Sequence, residues 1–143
     1  MHVDVFGTTI EIDQAVIAEP PAAVTEQVRQ YGEGERRAFD LTVTTPSGVL
    51  GEVMTAMTEI PYGETRTYGE IADRLDTAAV AVGQACARNP VPLVVPCHRV
   101  VGSDGSLRGY SAAGGIATKR RLLDFEAETL GDEPRQTRSP TRG

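Results

Sequence analysis

Cys97 and His98, side by side in Pro96-Cys97-His98-Arg99-Val100, are the residues of this chain best suited to covalent chemistry. A thiol attacks as its thiolate, and a free cysteine loses its proton only at a pH of about 8.5, so a reactive one needs a base and a group that orients the base. His98 is the adjacent base. Neighbouring side chains on an extended strand point to opposite faces, so direct contact requires a turned backbone, which Pro96 favours; a bridging water is the other route. Glu126 is the best orienting carboxylate, because it follows the apolar residues Leu122, Leu123 and Phe125 of the last helix. Pattern alone also permits plainer readings, an exposed helix acid for Glu126 and a buried, inert thiol for Cys97.

The remaining soft ligands are Cys86 and His2. A disulfide between Cys86 and Cys97 is unfavourable in a cytosolic setting. A zinc site is equally unfavourable, because Cys97 and His98 are adjacent and no C-x-x-C unit exists. No metal is expected.

Several elements must position these residues. Val3 to Phe6 and Thr9 to Ile12 alternate around Gly7 as a short hairpin. Pro20 and Pro21 start a helix over Ala22 to Tyr31, which Gly32 to Glu35 ends. Phe39, Leu41 and Val43 alternate as a third strand. Val49, Val53, Met54, Met57 and Ile60 fall at helical spacing, with Pro61-Tyr62-Gly63 as the stop. Thr67 caps a helix over Tyr68 to Leu75, with Glu70 at the third position of a capping box. Asp76-Thr77 breaks the chain before a second helix over Ala78 to Arg88. Two short helices around a tight turn make a helix-turn-helix candidate, although many helical hairpins bind nothing. The second helix is rich in small residues, which suits either internal packing or a DNA-facing surface. Asn89-Pro90-Val91-Pro92 ends it, and Leu93-Val94-Val95 leads to Pro96. Residues 109–115 form a Gly-rich loop without a Walker-type ending. A final helix spans Ile116 to Leu130, and the polar residues 131–143 are expected to be disordered.

The net charge of -6 looks wrong for a DNA binder, since phosphate contacts require Lys or Arg. The acidity is unevenly placed: residues 1–64 carry 11 acids and 3 bases, residues 65–126 carry 6 acids and 8 bases. Lys119 is the only lysine beside 13 arginines, a balance that fits a salt-rich cytoplasm. No run of about 18 apolar residues marks a membrane span. Met1-His2-Val3-Asp4 lacks the basic and apolar regions of a signal peptide, so a cytoplasmic protein is expected.

Ordered motifs narrow the chemistry. Tyr62-Gly63-Glu64-Thr65-Arg66-Thr67-Tyr68-Gly69-Glu70-Ile71-Ala72, Val82-Gly83-Gln84-Ala85, Asn89-Pro90, Pro96-Cys97-His98-Arg99-Val100-Val101-Gly102, Gly109-Tyr110-Ser111 and Lys119 to Leu123 together resemble the O6-methylguanine-DNA methyltransferase family over residues 44–130. The resemblance implies an α+β fold: a short, reduced N-terminal α/β region (1–43), then a mostly helical domain (44–130) with a helix-turn-helix and a buried active-site cysteine. It implies a monomer acting on double-stranded DNA that contains O6-alkylguanine, with the target base flipped out of the duplex. Cys97 would be the irreversible alkyl acceptor, so each chain would act once without a cofactor. His98 would be the base through a water and Glu126 its orienter. Asn89 would brace the turn between recognition helix and active site. Tyr68 would contact the guanine ring nitrogen and supply a proton. The carbonyls of Val100 and Cys97 would accept from the exocyclic amine, Ser111 would offer a backbone N–H to O6, and Tyr110 and Pro92 would line the alkyl slot. Thr67, Tyr68, Val80, Ala81, Gly83 and Arg99 would contact DNA.

Val80 stands where the family places an arginine in the duplex. An apolar wedge can also unstack bases, but Val is short and uncharged. The interval from Tyr110 to Glu126 is longer than in some members, with Ala112-Ala113 the extra residues. Two other functions compete. A non-enzymatic sensor of alkyl lesions fits Val80 but not the retained Cys97. A Cys-His hydrolase lacks any recognisable oxyanion motif.

Overall fold

The computed structural model describes residues 1–107 and 115–131. Tyr110, Ser111 and Ala112-Ala113, and the tail over 132–143, lie outside the described residues.

Strands β1 (His2–Val5) and β2 (Thr8–Glu11) pair antiparallel with Val3 opposite Ile10. Phe6 and Gly7 both take positive φ, 52° and 77°, as a two-residue hairpin turn of this twist requires. Val3, Val5 and Ile10 share the buried face while Asp4 and Thr9 stay outside. Helix α1 (Pro21–Gly32) packs on β1 and buries Val24, Val28 and Tyr31, one stripe at helical spacing.

The expected third strand over Phe39 to Val43 does not form among the described residues. Only an isolated bridge joins Val43 to Ile17. Side chains take the backbone groups that a ladder would use: Gln27 bonds both the N–H and the carbonyl of Asp40, and Glu19 receives the N–H of Thr42 at 2.7 Å.

Helix α2 (Val49–Thr58) buries Val53, Met54, Ala56 and Met57 and stops ahead of Pro61. A two-residue strand β3 (Arg66–Thr67) leads into helix α3 (Tyr68–Leu75), and the capping box between Thr67 and Glu70 is formed in both directions. Asp76, at φ 56°, turns the chain in the left-handed region. Helix α4 (Ala79–Ala87) then packs against α2 and α3 as the second half of the helix-turn-helix. Its small residues divide by face. Val82, Ala85 and Cys86 are buried, while Ala78, Ala79 and Val80 are exposed. Packing and outward presentation therefore use the same helix.

Every residue from Val91 to Val101 is buried. Strand β4 (Val100–Val101) runs parallel to β3, with Arg66 opposite Val100 and Thr67 opposite Val101. Helix α5 (Gly115–Gly131) closes the molecule over the turn at Cys97. The architecture is α+β, helices with two small two-stranded sheets. Among the described residues no helix is long and apolar enough to cross a membrane.

Candidate active site

Cys97, His98 and Arg99 form a single 3-10 turn. This is the turned backbone that a Cys-His pair requires. The turn is held by Cys97 N–H to the carbonyl of Val95 at 2.8 Å and Arg99 N–H to that of Pro96 at 3.0 Å. The carbonyl of Cys97 accepts the N–H of Val100. Upstream, Asn89 braces the approach: its amide donates to the carbonyl of Val95 at 2.9 Å and accepts from Val91 N–H at 3.1 Å. Leu93 takes a φ of 77°, a conformation that non-glycine residues adopt at a cost and that the surrounding bonds must hold.

Glu126 lies at the centre of the polar contacts and is fully buried. Its Oε2 accepts from His98 Nε2 at 2.7 Å, from Arg99 Nη2 at 2.9 Å and from the Tyr31 hydroxyl at 2.6 Å. Its Oε1 accepts from Arg99 Nε at 2.9 Å and from Gly63 N–H at 3.0 Å. Arg99 places its remaining Nη1 on the carbonyl of Ile60 at 2.8 Å and its plane over the Tyr62 ring. Gly63 has no room for a side chain, since a Cβ there would lie 2.0 Å from Leu130. Burial alone pushes the Glu126 carboxyl up, but the hydrogen bonds from His98 and Arg99 and the Arg99 charge outweigh it and hold the acid well below the usual carboxylate range.

An ionised Glu126 decides the state of His98. The carboxylate can only accept, so Nε2 carries the proton and Nδ1 is left with a lone pair. Nδ1 is buried and has no hydrogen-bond partner among the described residues. Burial lowers the His98 pKa, Glu126 opposes this, and Arg99 and Lys119 add to the lowering. The imidazole is therefore neutral at pH 7 and able to take a proton.

The Cys97 thiol is the acid that such a base would serve. Burial pushes it up to about 11, opposed by the Asn89 amide and the Lys119 charge. At rest it is a protonated thiol. Lys119 is only 1 % exposed, and its Nζ sits 3.3 Å from the Tyr68 hydroxyl and over that ring. Burial lowers its pKa, while Cys86 and Cys97 favour its charge. Cys86 itself is buried against the Met57 sulfur at 3.6 Å, and burial raises its pKa to about 12.

Among the expected site residues, the fold gathers Cys97, His98, Glu126, Asn89, Pro92 and Val100 into one buried region, with the half-buried Tyr68 joined to it through Lys119. Thr67, Ala81 and Gly83 are half-buried, and Val80, at 69 % exposed, is the most open large apolar side chain among the described residues. Arg99 is a correction. Expected on the DNA-contacting surface, it is buried and turns its Nε, Nη1 and Nη2 inward, onto Glu126 and the carbonyl of Ile60. Sequence reasoning also missed Tyr31, Gly63 and Lys119. For Lys119 a signal existed, as the single lysine among many arginines.

Residues 50–128 match the family model described as 6-O-methylguanine DNA methyltransferase, DNA binding domain. A methylated-DNA–protein-cysteine methyltransferase of Mycobacterium tuberculosis is 44 % identical over 108 residues, 73 % of this chain and 64 % of that protein. One from Methanosarcina acetivorans is 46 % identical over 106 residues, 71 % of this chain and 66 % of its own length. The chain thus spans less than two thirds of the mycobacterial relative. Among solved structures, Mycobacterium tuberculosis OGT in complex with DNA superposes with a TM-score of 0.70 at 43 % identity, covering 76 % of this chain and 68 % of that one. The O6-methylguanine-DNA methyltransferase of Pyrococcus kodakaraensis gives 0.51 at 25 % identity over 88 % and 99 % of the two chains.

Proposed function

The chain belongs to the 6-O-methylguanine DNA methyltransferase family, and we propose that it repairs double-stranded DNA by moving the alkyl group of O6-alkylguanine irreversibly onto Cys97. The observation that carries this reading is the tautomer imposed on His98. Glu126 holds Nε2–H at 2.7 Å, and the opposite nitrogen is an open, buried acceptor one residue from the thiol.

The step is an in-line displacement at a saturated carbon. The Cys97 proton passes to His98 Nδ1, directly or through a water, and the thiolate attacks the alkyl carbon. The S–C bond forms as the C–O6 bond breaks, and both bonding electrons leave with the guanine. Tyr68 supplies a proton to the ring nitrogen, which completes unmodified guanine. Lys119, beside the Tyr68 hydroxyl, favours both the thiolate and a Tyr68 that has given up its proton. The buried thiol rests protonated, and so unreactive toward stray electrophiles, until His98 takes its proton. The thioether is stable, so one chain acts once. The carbonyls of Val100 and Cys97 serve the exocyclic amine, Pro92 and Tyr110 the alkyl slot, and Ser111 the O6 atom. Residues 44–130 form the DNA-binding and catalytic unit, preceded by an N-terminal α/β region over 1–43. The protein acts as a monomer in the cytoplasm.

Incubation with duplex DNA carrying O6-methylguanine should add the mass of one methyl group to the peptide containing Cys97, and Cys97→Ala should gain none. Absence of the mass at saturating DNA would sink the proposal. The exposed Val80 favours one second reading, a lesion sensor, and tight lesion binding without transfer is its signature.

A further inference from the structure

One contact at Glu126 comes from far outside the catalytic block. Tyr31, on α1, lies 95 residues away in sequence, is fully buried, and donates to Oε2 at 2.6 Å. That oxygen is the one His98 uses. A carboxylate offers about four lone-pair positions. Glu126 receives five contacts: Tyr31, His98 and Arg99 Nη2 on Oε2, Gly63 and Arg99 Nε on Oε1. The donors therefore share a limited charge, and Tyr31 and His98 compete for one atom.

The competition has a direction. A hydroxyl donating to Oε2 disperses charge that would otherwise favour a proton on His98. The weaker that pull, the weaker the base at Nδ1. We propose that Tyr31 is a positioning residue that acts through Glu126 to set the basicity of His98, and so the pH below which Cys97 stops giving up its proton. The catalytic meaning of this inference rests on the reading of His98 as the base. Among the described residues, the charged or titratable groups acting on Glu126 and His98 are these two themselves, Arg99 from the 3-10 turn, Tyr31 from α1, Tyr62 from the segment after α2, itself overlain by Arg37, and Lys119 from α5. Burial and the Glu126 charge both keep the Tyr31 hydroxyl protonated, so it remains a donor throughout. Tyr31 also packs among the rings of Phe39, Tyr62 and Phe125, so a purely structural role is the reading to beat.

Tyr31→Phe keeps the ring and removes the hydroxyl; Tyr31→Leu removes both. With only two histidines in the chain, His98 can be titrated directly by NMR after histidine labelling. Both variants should raise the His98 midpoint and move the acid limb of the single-turnover transfer rate to higher pH, by about half a unit or more. Only Tyr31→Leu should show a large fall in Tm. A midpoint that stays in place or moves down in both variants, with only Tm changing, overturns the inference. A raised midpoint in a protein whose Cys97 gains no methyl group keeps the Tyr31–His98 coupling and sinks the proposed function instead.

Discussion

The Glu126 cluster and the outer face of α4 solve opposite problems with opposite means. Around Glu126 each carboxylate oxygen has at least two donors, the donors come from α1, the segment after α2 and the 3-10 turn, and the carboxylate is fully buried. At the start of α4 the cap residue Ala78 supplies no side-chain bond, and Ala79 and Val80 stand in solvent. The contrast separates two tasks. Proton transfer needs fixed distances, so long-range contacts over-determine it. The entry into a duplex proposed for α4 would need a narrow and adaptable surface, and the start of that helix stands exposed.

Substitutions test that division. The largest effect belongs to Arg99→Ala, which strands a buried carboxylate and should destabilise the fold by about 3–5 kcal/mol in urea titrations. A loss typical of a surface arginine would break the comparison. Glu126→Gln keeps the shape but turns a universal acceptor into an amide facing its own donors. Transfer to Cys97 should slow by about 10²-fold or more in single-turnover assays, the scale of general base catalysis. Acid sensitivity should follow the cluster as well. His98 has a folded pKa below its unfolded value, so the stability it contributes is present above about pH 6.5 and is lost as pH falls through the folded value. Glu126, depressed in the same direction, extends the loss below about pH 4.3. Urea midpoints measured from pH 7 downward should fall, and Val80→Arg should leave the shape of that curve unaltered. The smallest effect on the fold is at Val80 itself. Val80→Arg should change stability by less than about 0.5 kcal/mol. It should also tighten lesion binding and steepen its salt dependence by about one phosphate contact. In the native protein, whose α4 carries no charged residue, transfer should persist in concentrated KCl that dissociates the arginine variant more strongly.

What could be read in advance was local. The hairpin around Gly7 and the capping box of Thr67 and Glu70 depend on neighbours a few residues apart, and both formed as expected. The segment over Phe39 to Val43 has the alternation of a strand, but pairing needs a partner edge, and side chains of Gln27 and Glu19 reached its backbone first. Glu126 was legible as a candidate because it follows an apolar stretch. Its other donors were not. Nothing near Tyr31 or Gly63 announces a partner 95 or 63 residues on. Arg99 misled for a physical reason: an arginine is ordinarily solvated, and only a buried carboxylate reverses that expectation.

The two-residue pairing of β3 with β4 has a geometric consequence. Thr67, which caps the helix carrying Tyr68, is bonded in register with Val101, and Arg66 with Val100, the residue that follows the Cys97 turn. Helix α3 and the Cys97 turn are thus indexed to one another by a bracket two residues long. Because side chains alternate along a strand, a slip of one residue in that bracket would offset Tyr68 and its helix from the Cys97 turn. Under the proposed function, the grip on the duplex and the receipt of the alkyl group would be coordinates in a single frame, with the pairing of Arg66 and Thr67 against Val100 and Val101 as its origin.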